Sequence, residues 1–90
     1  MELIPKKPFL KDLDKLRQNR SLCRQIDQLL TQLELSEALP ALPNLKKLHG
    51  HPTAYRVRLG DYRLGLFVEG DVVILARCLH RREIYRHFPL

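Results

Sequence analysis

The sequence predicts an α+β fold, in which two N-terminal helices pack on one face of a twisted, mainly antiparallel sheet of about four strands and a short C-terminal helix follows. Apolar residues recur at helical spacing up to about residue 39 and alternate as in strands from residue 54 to 79. Glycine-containing turns divide the second region into three strands. A chain of 90 residues, 44% of them hydrophobic, is expected to form one domain over residues 1–90.

Two amphipathic helices are predicted from residue 8 to about residue 39. Phe9, Leu13 and Leu16 follow one helical face, which predicts the first helix. Ser21 is the predicted N-cap of the second helix, which should end near residues 37–39. The acidic residues of both helices are expected to face solvent: Asp12, Asp14, Asp27, Glu34 and Glu37.

The remaining elements are a short edge strand, a loop and three longer strands. The segment ELIP at residues 2–5 is interpreted as an edge strand that its proline ends. Residues 40–52 contain three prolines and a glycine and are expected to form an ordered loop. The longer strands are predicted at residues 54–59, 62–68 and 72–79, and the tail beyond them forms a short helix or an extended end.

The stretch YRVRLGDYR at residues 55–63 predicts a hairpin whose two-residue loop is the glycine and the aspartate, because glycine readily takes the positive φ required there. This turn would place Arg58 opposite Arg63 and Arg56 opposite Gly65, all on one face. Like charges directly across a sheet destabilise it. The expected compensation is an anionic partner, either RNA or an acidic protein.

A second two-residue turn would keep the alternation of all three strands in phase. The side facing the helices would then carry Val57, Leu59, Leu64, Leu66, Val73, Leu75 and Leu79. The other side would carry Arg56, Arg58, Arg63, Gly65, Phe67, Ile74, Ala76, Cys78 and His80. Because three of these residues are small, this face should leave room beside its arginines.

The charge of the chain limits its partners. A formal net charge of +6 predicts attraction to nucleic acid, an anionic membrane or an acidic protein. No apolar run approaches the ~20 residues of a membrane span, and the first 13 residues lack a signal-peptide core, so no membrane partner is expected. Cys23 and Cys78 lack CxxC spacing, which favours reduced, buried thiols in a cytoplasmic protein.

Basic and ring-bearing side chains are interleaved in the second half of the chain. The basic residues are Lys46, Lys47, Arg56, Arg58, Arg63, Arg81, Arg82 and Arg86, and the rings are His49, His51, Tyr55, Tyr62, His80, Tyr85 and His87. Arginine binds phosphate through two hydrogen bonds and aromatic rings stack on unpaired bases, so this pattern favours single-stranded RNA. The alternative is a solvated basic face without a ligand. Tyr62 is assigned to the core, and Tyr85 is either a core ring or a base-stacking ring.

The histidines are candidates for acid–base chemistry. His49 and His51 lie on a loop with no third or fourth ligand at useful spacing, so neither a metal nor another cofactor is expected. They are either solvated or able to exchange a proton with a ribose hydroxyl, because histidine titrates near neutral pH. His80 has the same two interpretations. The sequence contains no nucleophile elbow and no phosphate-binding glycine loop.

Residues 45–88, LKKLHGHPTAYRVRLGDYRLGLFVEGDVVILARCLHRREIYRHF, resemble the RelE/ParE toxin superfamily of type II toxin–antitoxin systems, and most closely its RelE-type mRNA interferase branch. The resemblance lies in the KLxG loop, the paired tyrosine–arginine motifs around the turn, and the final histidine–arginine and tyrosine. It implies a RelE-like fold and a metal-independent endoribonuclease. Such a toxin cuts mRNA in the ribosomal A site by attack of the 2′-hydroxyl on the adjacent phosphate, which inhibits translation.

The resemblance also implies roles for individual residues. Arg56 and Arg58 match two basic sheet positions, Arg63 matches the arginine after the turn, and Arg81 or Arg82 matches the arginine beyond the last strand. The predicted catalytic residues are Arg56, Arg58, Arg63, Arg81, Tyr85 and His80, with Tyr85 stacking on a base. The predicted RNA-binding residues are Lys46, Lys47, His49, His51, Arg82 and Arg86. The first two sheet positions are often lysines in the family. Because arginine cannot lose its proton, either His49, His51 or His80 acts as the base or the site relies on electrostatic stabilisation alone.

The implied partners are a cognate acidic antitoxin, the ribosome and mRNA, with operator DNA bound only indirectly through the antitoxin. An amphipathic antitoxin segment is expected to dock on the sheet or replace the C-terminal helix. Two other functions are compatible with the sequence: a ParE-type gyrase inhibitor and a non-catalytic binding module.

Overall fold

A computed structural model describes residues 1–89. Within this range the chain forms a mixed five-stranded sheet in the order β1-β5-β4-β3-β2, where β1 is parallel to β5 and the other neighbours are antiparallel. The strands are β1 (Glu2–Pro5), β2 (Leu45–Lys47), β3 (Ala54–Leu59), β4 (Tyr62–Glu69) and β5 (Val72–His80). The predicted edge strand and the three long strands are therefore confirmed. β2 lies inside the predicted loop, where three residues are too few to show a strand alternation.

Three helices complete the fold of residues 1–89: α1 (Lys7–Leu16), α2 (Arg20–Leu35) and α3 (Ile84–His87). The prediction that Ser21 caps α2 is wrong, because the Asn19 side chain accepts the Leu22 backbone N–H at 3.1 Å. α2 also ends earlier than predicted, at Leu35, where the Ser36 N–H donates to the Leu33 carbonyl. No helix in residues 1–89 has the length and hydropathy needed to cross a bilayer.

The hairpin between β3 and β4 has the predicted register. Gly60 takes a φ of 61°, and Arg58 lies directly opposite Arg63 while Arg56 lies opposite Gly65. The second turn also has two residues, since Glu69 pairs with Val72. Both tight turns thus depend on a glycine in the left-handed region.

The main core lies between the sheet and the two long helices. It buries Phe9 of α1, four residues of α2, and the predicted helix-facing side of β3 and β4. The buried members are Phe9, Leu22, Ile26, Leu29, Leu33, Val57, Leu59, Leu64, Leu66, Val73, Leu75 and Cys78. Tyr62 packs at the edge of this core, as predicted.

A second, smaller cluster lies on the opposite side of the sheet. Ala54, Ile84 and Phe88 are buried there, with Phe67 and Leu79 packed against them. α3 therefore covers part of the face that carries the arginines. The predicted short C-terminal helix is confirmed, and the arginine face is less open than the sequence suggested.

A β-bulge changes the phase of β5. Gly65 pairs with Arg77 but Leu66 pairs with Leu75, so Ala76 has no opposite residue. Beyond this point the side chains exchange faces. The predicted positions of Cys78, Leu79 and His80 are therefore wrong: Cys78 joins the main core, Leu79 joins the small cluster, and His80 lies opposite Tyr62 on the helix side.

Asp12 of α1 holds the residues that follow the bulge. Its carboxylate accepts two hydrogen bonds from the Arg77 guanidinium, at 2.8 and 3.1 Å, and one from the Cys78 backbone N–H at 2.9 Å. The side-chain hydrogen bond to Asp12 raises the pKa of Arg77. The prediction that Asp12 faces solvent is wrong, because this carboxylate is only 4% exposed and its charge is matched internally.

Both cysteines are free thiols, as expected. Cys78 is buried, as predicted, whereas the prediction of a buried thiol is wrong for Cys23, which is half-buried. Burial, with a smaller contribution from Asp12, raises the pKa of the Cys78 thiol to about 12. This thiol therefore stays protonated at neutral pH and acts as a small apolar group of the core.

Candidate nucleic-acid interface

Four basic side chains share the face of the sheet that faces away from α1 and α2. Arg56 and Arg58 project from β3, Arg63 projects from β4, and Lys46 of β2 pairs directly with Arg56. The prediction that the hairpin directs three guanidinium groups to one side is confirmed by this register. These three residues, Arg56, Arg58 and Arg63, form an arginine row. Because Arg58 and Arg63 are directly opposed, the row carries like-charge repulsion that a bound anion would reduce.

Arg63 lies at the centre of the positive charge. Its Nη1 donates to the Gly60 carbonyl at 2.7 Å and to the Tyr62 carbonyl at 2.9 Å. Burial lowers the pKa of Arg63, the nearby Arg56, Arg58 and Arg81 lower it further, and Tyr85 raises it. Arginine remains charged at neutral pH despite such a shift. Burial is the largest cause of this shift, and the smaller contributions of the three arginines show that positive charge lies close to Arg63, where an anionic group would neutralise it.

Main-chain contacts orient the β3 arginines. Arg56 Nη1 donates to the Asn44 carbonyl at 3.0 Å, and the same carbonyl accepts the Arg58 backbone N–H at 3.0 Å. The Asn44 side-chain amide donates back to the Arg58 carbonyl at 2.8 Å. Asn44 thus ties the segment before β2 to β3 and fixes one edge of the guanidinium of Arg56.

A cleft of about 820 Å³ opens beside Arg56. The segment between β2 and β3 forms one wall and α3 contributes a tyrosine. The lining residues are Lys46, Lys47, Leu48, His49, Gly50, His51, Pro52, Arg56 and Tyr85. Gly50 has a φ of 81°, which lets the chain reverse between the two histidines. Of the two interpretations of Tyr85, the core ring is excluded, because Tyr85 is 57% exposed.

The structure separates some of the predicted site residues from this cleft. Arg81 is exposed, with its backbone N–H donating to the Asp61 carbonyl at 2.8 Å and its guanidinium 3.9 Å from the Asp61 carboxylate. Arg81 therefore lies at the hairpin end of the row, within electrostatic range of Arg63. Arg82 and Arg86 are exposed and do not line the cleft.

His80 lies on the wrong side of the sheet for the predicted role. It lines a separate pocket of about 430 Å³ together with Asp12, Lys15 and Tyr62. Its ring packs edge-on against Tyr62 with centroids 5.5 Å apart, and its Nδ1 accepts the Arg82 N–H at 3.2 Å. The expectation that His80 joins the arginine face is wrong, because the β-bulge in β5 turns the His80 side chain to the helix side of the sheet.

Arg77 is a further basic residue that the predicted set lacks. A signal was present: strict alternation would have put Arg77 on the helix-facing side, between Leu75 and Leu79. An arginine at an apolar position indicates either a buried ion pair or a change of phase, and here both occur. In residues 1–89 no group of three or more histidine, cysteine or acidic side chains is arranged to hold a metal ion.

Comparisons with known proteins agree with this fold. A family model described as the ParE toxin of the type II toxin–antitoxin system parDE matches residues 3–85. The chain therefore belongs to this toxin family. It is 36% identical over 90 residues to Toxin RelE3 of Methanocaldococcus jannaschii, covering 99% of this chain and 100% of that protein. It is thus a type II toxin homologous to the RelE type, which confirms the resemblance of residues 45–88.

Solved structures give the same result. The RelB–RelE antitoxin–toxin complex from Methanococcus jannaschii matches with a TM-score of 0.80 and 34% identity, over 96% of this chain and 99% of that one. The YoeB–YefM complex from Staphylococcus aureus matches with a TM-score of 0.70 and 20% identity, over 89% and 95% of the two chains. The second likeness concerns the fold alone. Together they identify the mixed sheet with helices as a RelE-like fold.

Proposed function

We propose that this toxin is an endoribonuclease that cleaves mRNA in the A site of the ribosome. The observation that carries the proposal is the row of Arg56, Arg58 and Arg63 beside a cleft that also holds Tyr85 and two histidines. In the proposed reaction the ribose 2′-oxygen bonds to the adjacent phosphorus and the bond to the 5′-oxygen breaks. The products are a 2′,3′-cyclic phosphate and a 5′-hydroxyl, so the substrate supplies its own nucleophile.

The arginines are proposed to stabilise the phosphorane, which carries more negative charge than the ground-state phosphate. Preorganised donors aimed at such developing charge are among the largest catalytic contributions, at about 2.7–4 kcal/mol for a single donor. The carbonyl contacts of Arg63 and Arg56 support this role, because they restrict both guanidinium groups before substrate arrives.

The histidines of the cleft are proposed to move the protons. One takes the proton of the 2′-hydroxyl and the other protonates the leaving 5′-oxygen. Arginine cannot serve as the base. His49 and His51 line the cleft, whereas His80 lies on the other side of the sheet. We therefore assign the acid–base role to the loop pair and leave His80 out of the proposed catalytic set.

This assignment has a direct test with a matched control. His49→Ala and His51→Ala should each slow cleavage by about 10²–10⁴-fold, the usual range for a general acid or base. His80→Ala should leave the cleavage rate nearly unchanged. Normal cleavage in the loop variants together with loss of cleavage in the His80 variant would reverse the assignment.

A cognate antitoxin is the proposed protein partner. RelB accompanies RelE in the M. jannaschii complex, and YefM accompanies YoeB in the S. aureus complex. The net charge of +6 supports an acidic antitoxin segment that neutralises the arginine row. We propose that any contact with operator DNA is made through that antitoxin.

The decisive experiment is translation in vitro with and without the protein, followed by mapping of the mRNA 5′ ends. New ends within codons, with cyclic phosphate on the upstream fragment and dependence on ribosomes, are expected. Intact mRNA would reject the nuclease assignment. Because the matching family model describes ParE toxins, the alternative of gyrase inhibition is checked in parallel, with DNA breaks rather than arrested translation as its signature.

A further inference from the structure

The aromatic ring of Phe88 lies directly over Gly65, in the middle of β4. A Cβ placed on Gly65 would come within 2.5, 2.6 and 2.8 Å of three ring carbons of Phe88. Gly65 is not among the glycines with positive φ, so its backbone conformation suits any residue. The glycine is needed at this position for space, because only a hydrogen fits beneath the ring.

The ring that fills this space ends the segment carrying Tyr85. Phe88 is 2% exposed, packs against Phe67 in a tilted arrangement with centroids 5.1 Å apart, and donates its N–H to the Ile84 carbonyl at 2.8 Å. Ile84, at the other end of α3, is fully buried in the same cluster. α3 is thus held at both ends, and Tyr85 between them projects outward beside the cleft.

A helix of four residues cannot be stable by itself, because the first turn costs more conformational entropy than its hydrogen bonds return. The position of α3 must therefore come from the cluster beneath it. Gly65 also lies directly opposite Arg56, so the seat of the Phe88 ring is next to the arginine row. Gly65 thus allows Phe88 to pack on the sheet and also leaves space beside Arg56.

We propose that Gly65 and Phe88 form a lock that positions Tyr85 at the cleft. Neither residue needs to touch RNA, so both are positioning residues. The consequence for RNA binding rests on the proposed function, whereas the lock itself is a property of the free protein. The two can therefore be tested separately.

The first test follows α3 directly by NMR. In Gly65→Ala the ring signals of Tyr85 should shift, and the Phe88 amide should exchange with solvent at least about tenfold faster. In the double variant Gly65→Ala/Phe88→Ala the Tyr85 signals should match those of Phe88→Ala alone, since the three ring carbons that the added methyl would meet are absent. Val73→Ala, which weakens the main core on the other side of the sheet, is the control and should leave Tyr85 unmoved.

Unchanged Tyr85 signals in Gly65→Ala, or an equal change in Val73→Ala, would overturn the lock. If Gly65→Ala does not fold, Phe88→Ala takes its place, because it removes the ring without adding a clash. The Tyr85 signals should then collapse to those of a mobile tyrosine while the Leu64 and Leu66 amides stay protected. A well-ordered Tyr85 in Phe88→Ala would equally overturn it.

The second test measures coupling to RNA with a short 2′-O-methyl oligoribonucleotide, which binds but cannot be cleaved. Tyr85→Ala should weaken binding about tenfold in the wild-type background, as expected for the loss of one stacking ring. In the Gly65→Ala background it should cost much less, because the ring is already misplaced. An equal loss in both backgrounds contradicts the lock. No loss in the wild-type background contradicts the stacking role of the proposed function, and the NMR result then decides the lock alone.

Discussion

At Arg63, two main-chain carbonyls hold a guanidinium group that three other arginines surround electrostatically. This arrangement costs stability in the free protein and favours a bound phosphate. The individual contacts to the Gly60 and Tyr62 carbonyls are worth about 0.5–1.5 kcal/mol each in net stability, so the fold should survive their loss. The larger effect of Arg63 should therefore appear in activity.

We predict that Arg63→Ala reduces mRNA cleavage by about 10²–10³-fold and relieves growth arrest on expression, because one donor to the developing charge is lost. Arg17→Ala is the matched control, since it removes the same charge from an exposed pair with Asp14. Circular dichroism should show both variants folded. Full toxicity of Arg63→Ala would contradict the role assigned to the row.

At Cys78 the predicted behaviour is resistance to alkylation. Its pKa of about 12 leaves almost no thiolate at pH 8, and the side chain is buried. Iodoacetamide should therefore modify Cys23 before Cys78 in the native protein, as read by mass spectrometry. The unfolded thiol ionises near 9.0, so the stability contributed by protonated Cys78 is complete below pH 9 and is lost as pH rises toward 12. Equal labelling of both thiols would contradict the buried placement.

At the scale of elements, the ion pair between α1 and β5 maintains the geometry around the bulge. Asp12 is buried and binds both the Arg77 guanidinium and the Cys78 backbone. Removing one partner of such a pair leaves the other charge partly buried without compensation. The direction of every side chain from Cys78 to His80 depends on this local register.

We predict that Asp12→Ala lowers the free energy of unfolding by about 3–5 kcal/mol, measured by urea denaturation. Asp14→Ala, two residues away in the same helix, is the control, because its exposed pair with Arg17 is worth at most about 0.5 kcal/mol. Similar losses in the two variants would mean that the buried pair is not a special contributor.

Short-range sequence patterns predict the arginine face of this site but not the placement of His80 or the existence of β2. The shared face of Arg56, Arg58 and Arg63 followed from one glycine turn and a short alternation. The face of His80 depended on one extra residue in β5, a tertiary adjustment that alternation does not encode. β2 was missed because its pairing with β3, rather than its own three residues, makes it a strand.

At the scale of the whole molecule, the two sides of the sheet differ in what covers them. α1, α2 and the main core stabilise one side, while the other side carries the arginine row, the cleft and only a small apolar cluster. The net charge of +6 should attract an anionic partner, such as the proposed ribosome, over longer distances than these contacts reach. The rate and affinity of association should then depend on salt.

We predict that ribosome affinity falls by on the order of 10³-fold between 50 and 200 mM salt, as for about six phosphate contacts. The variant Lys46→Ala/Lys47→Ala removes two cleft charges and should reduce the slope of log affinity against log salt by about two. Lys6→Ala/Lys7→Ala, at the start of α1, is the equal-charge control and should change the slope less. Identical slopes in the two variants would mean that the cleft is not the contact surface.

The direct opposition of Arg58 and Arg63 has a consequence for how this toxin is handled in the laboratory. Any multivalent anion that binds between the two guanidinium groups will raise the melting temperature by mass action, whether or not it is a substrate. The melting temperature measured in phosphate or polyphosphate buffers will therefore be higher than that of the anion-free protein. The melting temperature can be measured against heparin concentration in the wild type and in Arg58→Ala. The difference between the two titrations is then an assay for anion binding at the arginine row.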